Sequence, residues 1–173
     1  MSAQQKPRLA TIWLDGCSGC HMSFLDLDAR LLDLTELVDI VYSPLIDVKE
    51  YPENVDICLV EGAVASQEDL HKIKIVRMRT STVIALGDCS AIGNVPSLRN
   101  PIGVAAVLQR VTHGLQPTDV PVLLPQARPL HRHIKVDLFL PGCPPSADTI
   151  YTVLTDLLAG REPDILGLTR VGA

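Results

Sequence analysis

Short apolar runs rich in β-branched residues alternate along this chain with stretches whose apolar residues recur at helical spacing, and that alternation constrains the fold more than any other feature. The runs are Arg8 to Leu14 (RLATIWL), Val38 to Ser43 (VDIVYS), Val55 to Glu61 (VDICLVE), Thr82 to Gly87 (TVIALG) and Ile134 to Leu140 (IKVDLFL), each of strand length. Between them, His21 to Leu37 places Leu25, Leu31, Leu32 and Leu34 on a partly apolar helical face. Ser66 and Asp69 form a capping-box pattern ahead of Leu70, Ile73 and Val76, and Ser146 to Ala159 is a helix capped by Ser146 and stopped at Gly160. Strands separated by helices are joined by right-handed crossovers, so the pattern predicts an α/β chain with a doubly wound, mostly parallel sheet of about five strands, covered on both faces. The Pro-containing stretches Val95 to Pro101 and Pro117 to Pro129 read as surface excursions, with a short helix over Ile102 to Val111.

The 173 residues show no repeat and no linker, so residues 1–173 are expected to form a single domain, burying roughly 70% of the surface the unfolded chain exposes. Apolar residues make up 47% and charged residues 20%, a balance that argues against disorder. A net charge of −5 and six aromatics supply neither the positive field nor the stacking platforms of a nucleic-acid binder. No apolar run approaches the ~18–20 residues of a membrane span, and the opening segment holds only the short run Leu9 to Leu14 after Lys6 and Arg8. The expectation is a cytoplasmic chain. In a reducing compartment, five cysteines are metal ligands or redox groups before they are disulfides.

Four of those cysteines lie just past expected strands: Cys17 and Cys20 after the first, Cys89 after the fourth and Cys143 after the fifth. Parallel strands end along one edge, where open α/β sheets bind their ligands, so residues far apart in sequence meet there. Each cysteine has turn chemistry beside it: Asp15-Gly16-Cys17-Ser18-Gly19-Cys20, Gly87-Asp88-Cys89-Ser90 and Pro141-Gly142-Cys143-Pro144-Pro145. One close pair plus two remote cysteines suits an iron–sulfur cubane, whose corners need four separate thiolates. Other readings stay open on spacing alone. A zinc ribbon normally presents two close pairs, whereas Cys89 and Cys143 follow Cys20 by 69 and 123 residues. A thioredoxin-like pair would leave Cys89 and Cys143 idle, and the string Cys17-Ser18-Gly19-Cys20-His21 also matches a haem attachment site, which normally accompanies export. Cys58, inside an apolar strand, reads as a small buried hydrophobe.

The residues Leu14 to Phe24 (LDGCSGCHMSF), Val60-Glu61-Gly62-Ala63, Gly87-Asp88-Cys89 and Pro141 to Pro145 (PGCPP) resemble, in order, the proximal-cluster motifs of NiFe hydrogenase small subunits. The shortness of the chain brings it nearest to the cytoplasmic NAD-reducing group. The resemblance runs from Arg8 to about Gly160. Complex I-type subunits of quinone- or ferredoxin-linked oxidoreductases, the alternative, carry adjacent cysteines at the first motif, so the two-residue gap between Cys17 and Cys20 favours hydrogenase.

The resemblance implies a flavodoxin-like domain holding one 4Fe-4S cluster through Cys17, Cys20, Cys89 and Cys143. Its partners would be a large subunit carrying the NiFe centre and diaphorase subunits with flavin and iron–sulfur clusters that reduce NAD. Flavin mononucleotide would compete with the cluster for the loop after the first strand, and no residue here argues for it independently. The resemblance also implies that Glu61 and Ser18 lie near the large subunit, with either a proton-transfer or a loop-bracing role. A redox-free, zinc-stabilised binding module would instead be colourless and tolerate Cys89→Ser. Two basic groups, His71 to Arg79 and His131 to Lys135, read as solvated faces or as docking sites for an acidic partner, and Trp13 packs either beside the cysteine loop or in the core.

Overall fold

The β-branched runs do pair as strands. The computed structural model describes residues 5–115 and 118–171. In chain order the elements are β1 (Arg8–Trp13), α1 (Gly19–Leu25), α2 (Arg30–Leu37), β2 (Asp39–Tyr42), β3 (Val55–Glu61), β4 (Val64–Ser66), α3 (Gln67–Arg79) and β5 (Thr80–Leu86). There follow α4 (Gly87–Ile92), α5 (Asn94–Ser97), α6 (Val104–Thr112), β6 (Leu123–Arg128), a 3-10 turn (Leu130–Arg132), β7 (Leu138–Leu140), α7 (Ala147–Leu158) and α8 (Ile165–Leu168). Five strands form one sheet in the order β2-β1-β3-β5-β7, every neighbouring pair parallel. Counted among themselves, these strands run 2-1-3-4-5, the flavodoxin-like doubly wound order.

The two-residue period of the strands divides the core. Leu9, Ile57, Leu59, Ile84 and Leu86 meet Phe24 of α1, Leu34 of α2 and Ile150, Val153 and Leu154 of α7 on one face. Ala10, Ile12, Cys58, Val60, Val83 and Ala85 meet Ile73 and Val76 of α3 and Leu124 of β6 on the other. Each fully buried Leu or Ile contributes about 1.5–3 kcal/mol relative to exposure. Cys58 is wholly buried in the second core, and burial pushes its thiol up to about 12.

Five local expectations are corrected. The helix expected over His21 to Leu37 is broken into α1 and α2, because Asp28 takes a left-handed backbone (φ 54°) and short polar side chains such as Asp26 and Asp28 favour turns over helix interiors. The Pro117 to Pro129 excursion contains β6, which pairs antiparallel with β4 in a separate two-stranded ribbon. Pro125 is tolerated there because a two-stranded ribbon is all edge; Pro117 lies outside the described residues. The final strand is confined to Leu138–Leu140, since Asp137 is already turned to Val83, its N–H donating to the Val83 carbonyl and its carboxylate accepting the Val83 N–H. Gly87 opens α4 instead of closing β5, and α5 overlaps the start of the Val95 to Pro101 stretch.

The capping box forms as expected: Ser66 Oγ accepts from Asp69 N (3.0 Å), and the Asp69 carboxylate accepts from Ser66 N (2.9 Å). Ser66→Ala removes one half of that exchange at a buried helix start. The expected cost is about 1 kcal/mol, read as a fall in melting temperature of roughly 2–4 °C.

Candidate metal centre

All three cysteine-bearing loops leave the carboxyl ends of sheet strands: Cys17 and Cys20 after β1, Cys89 after β5 and Cys143 after β7. β1 and β5 flank β3, so the loops surround the β3 end, where Glu61 sits. Three buried polar groups brace them. The Glu61 carboxylate accepts the N–H groups of Cys20 (3.2 Å) and His21 (2.9 Å) at the start of α1. Asp88 Oδ1 accepts Gly142 N (2.8 Å) while Asp88 N donates to Gly142 O (2.9 Å), tying the Cys89 loop to the Cys143 loop. Ser23 Oγ donates to Pro145 O (2.6 Å), joining α1 to the same loop.

The thiols are neighbours in charge. Burial pushes the Cys20 thiol well above the ordinary range, with further upward contributions from Glu61, Cys89, Cys17 and Cys143. Cys89 is pushed up to about 11, first by burial and then by Cys17 and Cys143. Bare thiolates at these positions repel one another, and a multivalent cationic centre would relieve that repulsion. Cys20 is buried, Cys89 half-buried, and Cys17 and Cys143 exposed. Among the described residues, no group of three or more His, Cys, Asp or Glu side chains is placed to hold a metal ion. A tetrahedral zinc, with Zn–S of about 2.3 Å, requires tighter closure than a cubane, whose corners are spread apart.

The surroundings fit a bulky sulfur-bound group. Gly87 has φ +80°, and a Cβ there would lie 2.3 Å from Cys20 Sγ and 3.4 Å from Gly142 O, so only glycine lets the backbone pass beside that sulfur. Gly19 N donates to Cys17 Sγ (3.4 Å) and Asn94 Nδ2 to Cys143 Sγ (3.5 Å), the N–H to sulfur bonds by which proteins set cluster potentials. Ser90 Oγ, fully buried beside Cys89, has no hydrogen-bond partner among the described residues, which costs about 1–3 kcal/mol unless the group that completes the site satisfies it.

A second polar set lies beneath the first loop. The pleat turns Thr11 of β1 and Glu61 of β3 to the face that α1 covers, and His21 bridges them. His21 Nδ1 makes a short contact with Glu61 Oε2, His21 Nε2 lies 3.0 Å from Thr11 Oγ1, and Thr11 Oγ1 donates to Ser43 Oγ (2.9 Å). His21 and Glu61 are 3% and 1% exposed, so neither exchanges freely with solvent. Ser18, in a left-handed backbone at the start of α1, spends its hydroxyl on the Cys17 carbonyl (2.6 Å) and makes no bond to Glu61. Sequence reasoning singled out Glu61 and Ser18 but not His21, Thr11, Asp88 or Ser23; the signal available was a His directly after Cys20, in register with an acid ending an apolar strand. Trp13 is half-exposed beside Gly16, at the cysteine loop and outside the core.

Fold and site together define a doubly wound α/β chain with a thiol constellation at its strand ends. Residues 17–157 match the family described as NADH ubiquinone oxidoreductase, 20 Kd subunit, and the chain belongs to that family of electron-transfer subunits. It is 38% identical over 172 residues to the NAD-reducing hydrogenase HoxS subunit delta of Cupriavidus necator, covering 92% of this chain and 82% of that one. It superposes with a TM-score of 0.90 and 42% identity on a chain of an NAD+-reducing NiFe hydrogenase solved in the H2-reduced state, covering 96% of this chain and 99% of that one. Sulfhydrogenase 2 subunit delta of Pyrococcus furiosus is 33% identical over 90% of this chain, and a hydrogenase subunit of Methanocaldococcus jannaschii is 39% identical over 91%. The chain spans 64% and 58% of those two relatives, which are longer. Among the described residues, no helix is long and apolar enough to cross a membrane.

Proposed function

We propose that this chain is the electron-transfer small subunit of a cytoplasmic NAD-reducing NiFe hydrogenase, with Cys17, Cys20, Cys89 and Cys143 as ligands of one 4Fe-4S cluster. The observation that supports the reading is that the three loops carrying those cysteines leave the same edge of one parallel sheet, in a chain homologous over nearly its whole length to such a subunit. The NiFe centre belongs to a separate large subunit, and diaphorase subunits with flavin and iron–sulfur clusters accept the electrons and reduce NAD. When bound, the cluster supplies one-electron transfer.

The chain's own residues do the rest. Asp88, Glu61 and Ser23 tie the three loops to one another and to α1, which limits how far the cysteines can move apart. Gly87 gives the backbone clearance beside Cys20, while Gly19 N and Asn94 Nδ2 donate to ligand sulfurs. Glu61 Oε2 and His21 Nδ1 are placed to share a proton, and Ser18, at the start of α1 in the same loop, would face the large subunit.

The test is anaerobic purification with the native partners, followed by iron and acid-labile sulfide analysis and an assay for hydrogen-dependent NAD reduction. Iron and sulfide without that activity would turn the assignment to a complex I-type subunit. Cys89→Ser is expected to lose the brown absorbance and most of the iron while the chain still folds; iron at the wild-type level in this variant overturns the ligand set.

A further inference from the structure

A cleft of about 600 Å³ opens on the β7 side of the cysteine edge, walled among others by Ile92, Ser97, Gln126, Arg128, His131 and Arg132. Asn100 fixes its floor, because its side chain exchanges two hydrogen bonds with the Ala127 backbone, both 2.8 Å. The cleft is cationic in a chain whose net charge is −5. Its cations also lack carboxylates. On the same side of the molecule, Arg77 and Lys135 both pair with Asp137. Among the described residues, Lys74, Arg128 and Arg132 make no ion pair; the Arg128 guanidinium rests on the neutral Gln126 Oε1 (2.9 and 2.6 Å), and His131 packs edge-on against Phe139. Their field reaches inward: burial, Arg128 and Lys74 together hold His133 below the usual imidazole range.

The cleft reaches α4, the helix that carries Cys89. Ile92, 51% exposed, stands one helical turn beyond Cys89 on α4, and Phe139, 39% exposed, lies on the sheet's edge strand four residues before Cys143. An apolar centre next to unpaired cations, on the helix that carries Cys89 and the strand that leads to Cys143, is the kind of surface a charge-steered redox encounter uses.

We infer that this face receives an acidic-faced redox protein, whose carboxylates enter the cleft between Arg128 and Arg132 and whose redox centre comes to rest over Ile92 and Phe139. The inference rests on the reading of the four cysteines as cluster ligands. Each transfer would oxidise the cluster held by the four cysteines by one electron and reduce the partner's centre by one electron, with no bond made or broken.

The experiment uses the whole heteromeric complex carrying the double variant Arg128→Glu, Arg132→Glu, compared with Arg128→Lys, Arg132→Lys. The Glu pair is expected to weaken association of the diaphorase subunits at least tenfold at low salt and to abolish its salt dependence. Hydrogen oxidation with a small dye and the reduced cluster's EPR spectrum should stay unchanged, and the Lys pair should keep salt-dependent association. Wild-type affinity in a cluster-loaded Glu variant overturns the docking surface alone. A wild-type complex without iron and sulfide instead overturns the ligand reading on which the electron step depends.

Discussion

Gly87→Ala is expected to cost the protein both stability and its iron. At φ +80° an L side chain carries backbone strain of about 1–2 kcal/mol, and the new Cβ would sit 2.3 Å from Cys20 Sγ, inside any real contact distance. Cys20 has little room to yield, since its residue is buried and its backbone N–H is held by Glu61. Relief must therefore come from moving the sulfur out of its position or α4 away from α1. A combined loss of about 2–3 kcal/mol corresponds to roughly 5–10 °C in melting temperature for a chain of this size. Iron and acid-labile sulfide per folded chain should fall further than stability does. Gly103→Ala is the control: Gly103 has nearly the same backbone (φ +84°) with nothing within 4 Å of the added Cβ. It should show the strain alone, a few degrees of melting temperature, and full iron. If Gly87→Ala behaves like Gly103→Ala, the close approach at Cys20 has no part in holding the cluster.

That contrast marks what a sequence can and cannot carry. The sheet was readable because strand period and helical period are local signals: Val55–Glu61 begins and ends where its β-branched run does, and Ser66 and Asp69 announce their own helix. The cysteine edge was readable through topology, since parallel strands can end only on one side. β6 was hidden because its partner β4 is three residues long and its own run contains Pro125, so neither strand has a periodicity of its own. The braces were hidden for a different reason. Asp88 with Gly142 and Ser23 with Pro145 are 54 and 122 residues apart, and a lone polar residue beside a turn carries no sign of what it will meet across the fold. His21 is the sharpest case: only the register of β1 against β3 puts Thr11 and Glu61 on the face where a His after Cys20 can bridge them.

The bridge links the first cysteine loop to a buried acid–base pair. Thr11 gives its hydroxyl proton to Ser43, so its oxygen is the acceptor that His21 Nε2–H requires. His21 Nδ1 and Glu61 Oε2 then hold one proton between them, in a pocket closed to bulk water. Glu61→Gln keeps the side-chain shape and an acceptor for one of the two α1 amides, but its NH2 group cannot release a proton. Iron content and the cluster's EPR signal should stay at wild-type levels, because the substituted amide touches no sulfur ligand through its side chain. Hydrogen turnover should drop by about 10²-fold, the low end of what a positioned acid–base group contributes, with a larger solvent isotope effect. Glu61→Leu behaves differently: it strips Cys20 N, His21 N and the His21 ring of their acceptor, and breaking a buried pair in this way costs about 3–5 kcal/mol, so instability and iron loss should dominate. The two variants separate the roles. A brace alone predicts damage in the Leu variant and near-normal turnover in the Gln variant, whereas slow turnover in a Gln variant with an intact cluster requires the proton held at Oε2.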